Sequence, residues 1–319
     1  MLIDVLILIF GLTILILGAH WLVDGSSSVA AKLGISSFTI GLTVVAFGTS
    51  MPELVVNILA SYSESSGLAI GNVVGSNIIN VFLVVGIAAL VKPINIQSTT
   101  IRIEIPFSFL AAVVLIFLAN DALLDGAQQS ILSRIDGLIL LTFLVVFLYY
   151  TYLSAKTDIL PPVSEVKVRK NYLSILMVIG GIGGLFWGGD LIVDRSVKIA
   201  QSMGVSDAVI GLTVVAIGTS LPELVTSVVA AFKGNSEIAI GNILGSNIFN
   251  IFMVLGVSSM IIPLPLYPSA NIDLLVVCLA SLLLFAFALI GPGQKIDRKE
   301  GGVFVVGYIL YLSYLIINA

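Results

Sequence analysis

The chain has 319 residues, 58% hydrophobic and only 10% charged, with a mean hydropathy of +1.16. A soluble domain of this size needs far more polar surface, so lipid is the solvent expected for most of the chain. The net charge of −4 is spread thinly over short loops, which argues against a nucleic-acid partner, and the single cysteine, Cys278, excludes an internal disulfide or a cysteine metal cluster.

About 20 apolar residues are needed to cross the hydrocarbon core as a helix. Ten segments qualify: 3–24, 37–61, 68–91, 104–119, 135–153, 172–193, 208–232, 238–262, 271–290 and 302–317. The first lacks a basic flank and a small-residue cleavage site, so it is expected as a helix of the mature protein and not a signal peptide. The first and sixth are expected to run on to about residues 32 and 202. His20, near the end of the first span, has no repeated partner and is expected to pack or to sit at the interface. Lys and Arg stay on the cytoplasmic side, and the loops after the odd-numbered spans hold 11 of the 14. Both termini are therefore expected outside the cell, in a multi-pass protein of the cell membrane.

An internal repeat organises the chain. Residues 40–55 read IGLTVVAFGTSMPELV and residues 210–225 read IGLTVVAIGTSLPELV, with 14 of 16 positions identical at an offset of 170. The same offset lays AIGNVVGSNIIN (69–80) on AIGNILGSNIFN (239–250), with 9 of 12 identical, and carries Gly18 onto Gly188 and Asp24 onto Asp194. Each unit holds five spans, an odd number, so the second copy enters the membrane from the opposite face. The predicted fold is all-α: ten transmembrane helices as two inverted five-helix repeats, residues 1–153 and 172–319, joined by a cytoplasmic linker at 154–171. The repeated motifs occupy 37–91 and 207–262. Inverted repeats with broken helices at the midplane are the architecture of secondary transporters.

Glu53 and Glu223 are the only charges in their spans. An ionised carboxylate at the bilayer centre costs about 2.5 kcal/mol or more, so two at equivalent positions require a compensating partner. Pro52 and Pro222 have no N–H to offer the carbonyls of Gly48 and Gly218, so the helix is expected to break there and free backbone oxygens. Thr49 and Glu53 share a helix face with Ala46 close by; Asn72, Ser76 and Asn80 share another. The second copy offers Ala216, Thr219, Glu223, Asn242, Ser246 and Asn250. Carboxylate, hydroxyl, amide and carbonyl oxygens without His or Cys suit a hard cation such as calcium or sodium. Asn77 and Asn247 lie off these faces and can equally be packing glue between helices; Asn72 and Asn242 are intermediate. Asp24 and Asp194 lie near span ends, where capping, solvation or a part in ion access are all open, and Asp121, Asp125 and Asp136 read as a solvated outer loop.

The motifs GTSMPEL with GNVVGSNIIN and GTSLPEL with GNILGSNIFN resemble the alpha-repeats of the cation/calcium antiporter superfamily, specifically the sodium/calcium exchangers in their compact prokaryotic form. The resemblance covers the whole chain. It implies an antiporter and not an enzyme, exchanging calcium for sodium by alternating access, with four cation sites between the second, third, seventh and eighth spans. It would make Glu53 and Glu223 shared central ligands and give Thr49 and Thr219 to the calcium site. The Ala46 and Ala216 carbonyls with Ser50, Ser76, Ser220 and Ser246 would serve flanking sodium sites, with Asn80 and Asn250 between. It also implies that the first and sixth spans form a loosely packed sliding pair. Relatives that co-transport potassium tend to carry an acid where this chain has Asn250, so potassium co-transport is not expected. A proton/calcium exchanger is the alternative. Calcium and sodium ions and the bilayer are the expected partners, with no cofactor and no obligatory protein partner.

Overall fold

A computed structural model describes residues 2–61, 67–124, 126–157, 168–202, 216–267, 269–291 and 293–318. Residues 208–215 of the predicted seventh span, most of the 154–171 linker and Asp125 lie outside the described residues. Eight described helices are long and apolar enough to cross a membrane. They are α1 (Ile3–Leu33), α4 (Ala69–Val91), α5 (Ser98–Leu118), α6 (Arg134–Lys156), α7 (Asn171–Gln201), α9 (Ser236–Ile261), α10 (Ala270–Ile290) and α11 (Arg298–Ile317). A ninth candidate span is broken: α2 (Ser37–Thr49) and α3 (Met51–Ser61) meet at 41°. The shorter α8 (Leu221–Phe232) follows a helical turn at Ala216–Thr219.

The centre of the molecule is α9, whose most apolar stretch is buried on every side, with α4 beside it. In water, a helix buried all round would be a hydrophobic rod; α9 instead carries Asn242, Ser246, Asn247 and Asn250, all buried. It can sit this close to α2 because it presents glycine there. A Cβ on Gly241 would stand 2.7 Å from the Phe38 carbonyl, and one on Gly245 would run into the Leu42 carbonyl. The helices α6 and α11 lie at the rim and are mostly exposed, with Val145, Tyr149, Leu310 and Ile317 among their outward side chains.

α1 and α7 form an antiparallel pair along one side, reaching Leu33 and Ser202. Their interface is glycine against backbone: a Cβ on Gly18 would lie 2.9 Å from the Gly181 carbonyl, and one on Gly181 would lie 2.8 Å from the Gly18 carbonyl. In lipid there is no hydrophobic drive to pair helices, so small residues that allow close van der Waals contact set such interfaces.

The chain departs from all-α at its loops. Among the described residues four two-residue strands pair as β1 (Ile94–Asn95) with β4 (Lys295–Ile296) and β2 (Ile131–Leu132) with β3 (Leu264–Pro265), both antiparallel. Each ties a loop of the first half to a loop of the second. Ion pairs mark the ends of the long pair. Asp24 of α1 meets Lys233, beyond α8, at 2.5 Å and Arg169 at 3.9 Å, whereas Asp194 pairs with Arg195 and Lys198 on its own helix. Arg195 also reaches Asp4 of α1 at 3.3 Å. His20 is half-buried in α1, and its carbonyl accepts from Lys233. Asp121 and Asp136 accept from the backbone N–H groups of Ile131 and Ser133, so both hold loop geometry.

Candidate ion-binding site

The site starts from the two prolines. α2 ends at Thr49; Ser50 takes φ −84°, ψ 4°, and α3 begins at Met51 with Pro52 in its first turn. Ser220 takes nearly the same geometry, φ −89°, ψ 5°, before α8 and Pro222. A proline in the first turn costs no hydrogen bond of the helix it opens, but it leaves the previous helix without a partner for its last carbonyls. Glu53 and Glu223 therefore stand in the first turn of a new helix, where the positive end of the helix dipole favours an anion. Both are essentially fully buried, at 1% and 0% exposure.

Equivalent side chains make equivalent bonds around them. Ser76 donates to Glu53 Oε1 at 3.5 Å and Ser246 to Glu223 Oε1 at 3.4 Å. Ser50 crosses between the repeats and donates to Glu223 Oε1 at 3.2 Å. Thr49 Oγ1 lies 3.0 Å from Asn242 Oδ1 and 3.3 Å from both Ser246 Oγ and the Ala46 carbonyl. That carbonyl also accepts the Ser50 N–H at 3.0 Å. Thr219 and Ser220 form the turn into Glu223, half-buried and buried respectively, and Ala216 opens that turn at the edge of the described residues.

The asparagines are paired crosswise. Asn80 Nδ2 donates to Asn247 Oδ1 at 3.1 Å, and Asn250 Nδ2 donates to Asn77 Oδ1 at 3.1 Å, the same bond under the 170-residue offset. Asn77 Nδ2 adds a bond to the Asn247 carbonyl at 3.2 Å. With their NH2 groups held, Asn80 and Asn250 turn their oxygens the other way. Those two oxygens and the second oxygens of Glu53 and Glu223 are buried with no hydrogen-bond partner among the described residues. A buried polar group left unpaired costs about 1–3 kcal/mol, and a charged one more. Four unpaired oxygens and two carboxylates with so few donors are chemically incomplete until a cation, which needs no donor, joins them. Among the described residues there is no cluster of three or more His, Cys, Asp and Glu that would hold a transition metal.

Sequence reasoning underrated Asn77 and Asn247, which orient Asn80 and Asn250 as well as gluing helices. It also missed that Asn80 and Asn250 lie in equivalent π-helical segments, Ile79–Val85 and Asn250–Leu255. Such wide turns recur at functional sites, but no residue type announces them. Asn57 was overlooked, although its spacing of four from Glu53 puts it on the same face of α3.

The family model described as sodium/calcium exchanger protein matches residues 3–153 and 173–317. The chain belongs to the sodium/calcium exchanger family. Sodium/calcium exchanger MaX1 of Methanosarcina acetivorans is 34% identical, over 98% of both chains. Putative antiporter CaxA of Alkalimonas amylolytica is 37% identical over the full length of both. A structure of the sodium-calcium exchanger NCX_Mj soaked with sodium and strontium superposes with a TM-score of 0.82 at 35% identity, covering 98% of each chain. Members of this family are membrane ion exchangers and not enzymes, and the multi-pass helical architecture of this chain is theirs.

Proposed function

We propose that this exchanger moves calcium against sodium by alternating access through one site centred on Glu53 and Glu223. Ten spans in two inverted repeats, with both termini outside, are the topology that goes with it. The observation that carries the reading is the set of four unpaired buried oxygens contributed equally by the two repeats. Two carboxylates bring −2, which one calcium ion neutralises, and several sodium ions can replace it on the same oxygens. Empty, the site resists occlusion, because enclosing two bare charges is unfavourable. Thr49, Ser50, Ser76, Asn80 and their equivalents Thr219, Ser220, Ser246 and Asn250 complete the shell, with the Ala46 and Ala216 carbonyls beside the breaks.

The test is calcium-45 uptake into proteoliposomes preloaded with sodium, with potassium-loaded vesicles as control. Uptake is expected to need the outward sodium gradient, to respond to membrane potential, and to fall at least 100-fold in Glu53→Gln and Glu223→Gln, since each removes about 2.7 kcal/mol or more of charge compensation. Uptake driven equally by an outward proton gradient without sodium would replace sodium coupling with proton coupling. Uptake indifferent to any counter-ion would end the exchanger reading.

A further inference from the structure

One helical turn beyond the carboxylates the two halves of the site differ in their polar side chains: Val56 and Asn57 stand where the second repeat has Thr226 and Ser227. In the second repeat, Asn242 Nδ2 lies 2.9 Å from Ser227 Oγ and 3.4 Å from the Glu223 carbonyl, and its Oδ1 lies beside Thr49 Oγ1. That amide is buried with both of its ends engaged. In the first repeat the equivalent of Ser227 is the larger Asn57, which takes the carbonyl for itself: its Nδ2 donates to the Glu53 carbonyl at 2.9 Å. The equivalent of Asn242, Asn72, is displaced from that bond, and its Nδ2 is buried without a partner among the described residues.

Asn57 gains the carbonyl and loses a partner elsewhere. Its side chain is fully buried, and its Oδ1 has no hydrogen-bond donor among the described residues. The bond to the Glu53 carbonyl fixes the amide plane, so the oxygen cannot turn back to find one. Asn120 shows the same local bond, to the Ile116 carbonyl, but it closes a helix that holds no other member of the site, so the pattern alone is not decisive. Placement decides. Glu53 and Asn57 stand four apart on one buried face of α3, Thr49 closes α2 just before the break, and all three are at most 1% exposed.

We propose that Asn57 is a cation-ligating position of the first repeat alone, its Oδ1 taking calcium or sodium one helical turn beyond Glu53. The inference rests on the exchanger reading. It makes the site chemically lopsided: the first repeat offers an amide oxygen without a donor among the described residues, where the second has the Asn242–Ser227 bond. A neutral oxygen at this point adds a ligand without adding charge. It therefore tunes affinity and the choice between ions while leaving the charge balance of exchange as it is.

The experiment is equilibrium binding of calcium-45 to the purified full chain, alone and in competition with sodium, for the wild type, Asn57→Ser, Asn57→Leu and Glu53→Gln, each checked for an unchanged melting temperature. Asn57→Ser copies the residue of the second repeat and lets Asn72 return to the Glu53 carbonyl, so it tests the oxygen without opening a cavity that nothing can fill. Loss of one neutral ligand is expected to weaken calcium binding or sodium competition about threefold to tenfold in both Asn57 variants. Wild-type isotherms for Asn57→Ser and Asn57→Leu, with binding abolished in Glu53→Gln, would reduce Asn57 to a packing residue and leave the exchanger reading intact. Calcium binding that survives Glu53→Gln would overturn both.

Discussion

At the residue scale, what separates this site from ordinary intramembrane packing is how its amides are held. An asparagine between helices is commonplace, and from the sequence Asn77 and Asn247 could be no more than that. The structure gives them direction: each accepts the NH2 of the Asn three positions further along in the other repeat, which leaves that residue's oxygen unpaired. Asn77→Ala removes the acceptor for Asn250 and the donor to the Asn247 carbonyl at once. It is expected to weaken calcium binding about tenfold and to lower the melting temperature, because it strands a buried NH2 at a cost of about 1–3 kcal/mol. Isothermal calcorimetry with a parallel thermal melt would detect both; a drop in melting temperature with unchanged calcium affinity would confine Asn77 to packing. The carboxylates, hydroxyls and amides of the site were legible in the sequence as types and spacings, since the repeated motif sets them out. The pairing of the amides was not, because each amide's partner lies about 170 residues away and only the folded chain brings the two together.

At the element scale, proline chemistry made the breaks at Ser50 and Ser220 readable in advance. The expected fourth span, 104–119, starts earlier than its apolar run suggests, because the polar turn Ser98–Arg102 packs as helix with Thr100 and Ile101 buried. The π turns were invisible, since a wide turn is chosen by what surrounds the helix and not by its residues. The glycine contact between α1 and α7 leads to a prediction of its own. A Cβ on Gly181 would stand 2.6 Å from the Leu22 nitrogen, closer than real side chains come to backbone. Gly181→Ala must push the two helices apart by a few tenths of an ångström or lock them in one register. If the pair slides during transport, sodium-driven calcium uptake is expected to slow more than tenfold while calcium affinity stays within threefold of wild type. Equal losses of uptake and affinity would mean that the glycine serves the site's shape and not the movement.

At the scale of the whole molecule, the long pair is fastened unequally. Asp24 ties α1 to the core through Lys233, whereas the ion pairs described around Asp194 stay within α1 and α7. Lys233→Gln removes the tie at the Asp24 end. A half-exposed ion pair is worth about 0.2–1 kcal/mol, so the expected effect is a twofold to fivefold rise in amide hydrogen exchange across 168–174 and 233–237, read by mass spectrometry. No change there would show that glycine packing alone positions that end. Overall class and the repeat were open to reading from hydropathy and self-similarity. The four short strands were not: two-residue strands carry no periodic signal, and they exist because loops of the two halves meet.

The crosswise asparagine bonds also bear on ancestry. Asn80 reaches Asn247 and Asn250 reaches Asn77, so each copy completes the other's pair and neither completes its own. One unfused copy meeting an identical partner about a two-fold axis would already hold every group needed for both bonds. A duplicated gene can thus pass from homodimer to single chain without any step at which the centre is unsatisfied. Once fused, the copies are free to diverge wherever a bond is not shared between them. Positions 57 and 227, an asparagine that donates to the Glu53 carbonyl and a serine that accepts from Asn242, are one place where that freedom has been used.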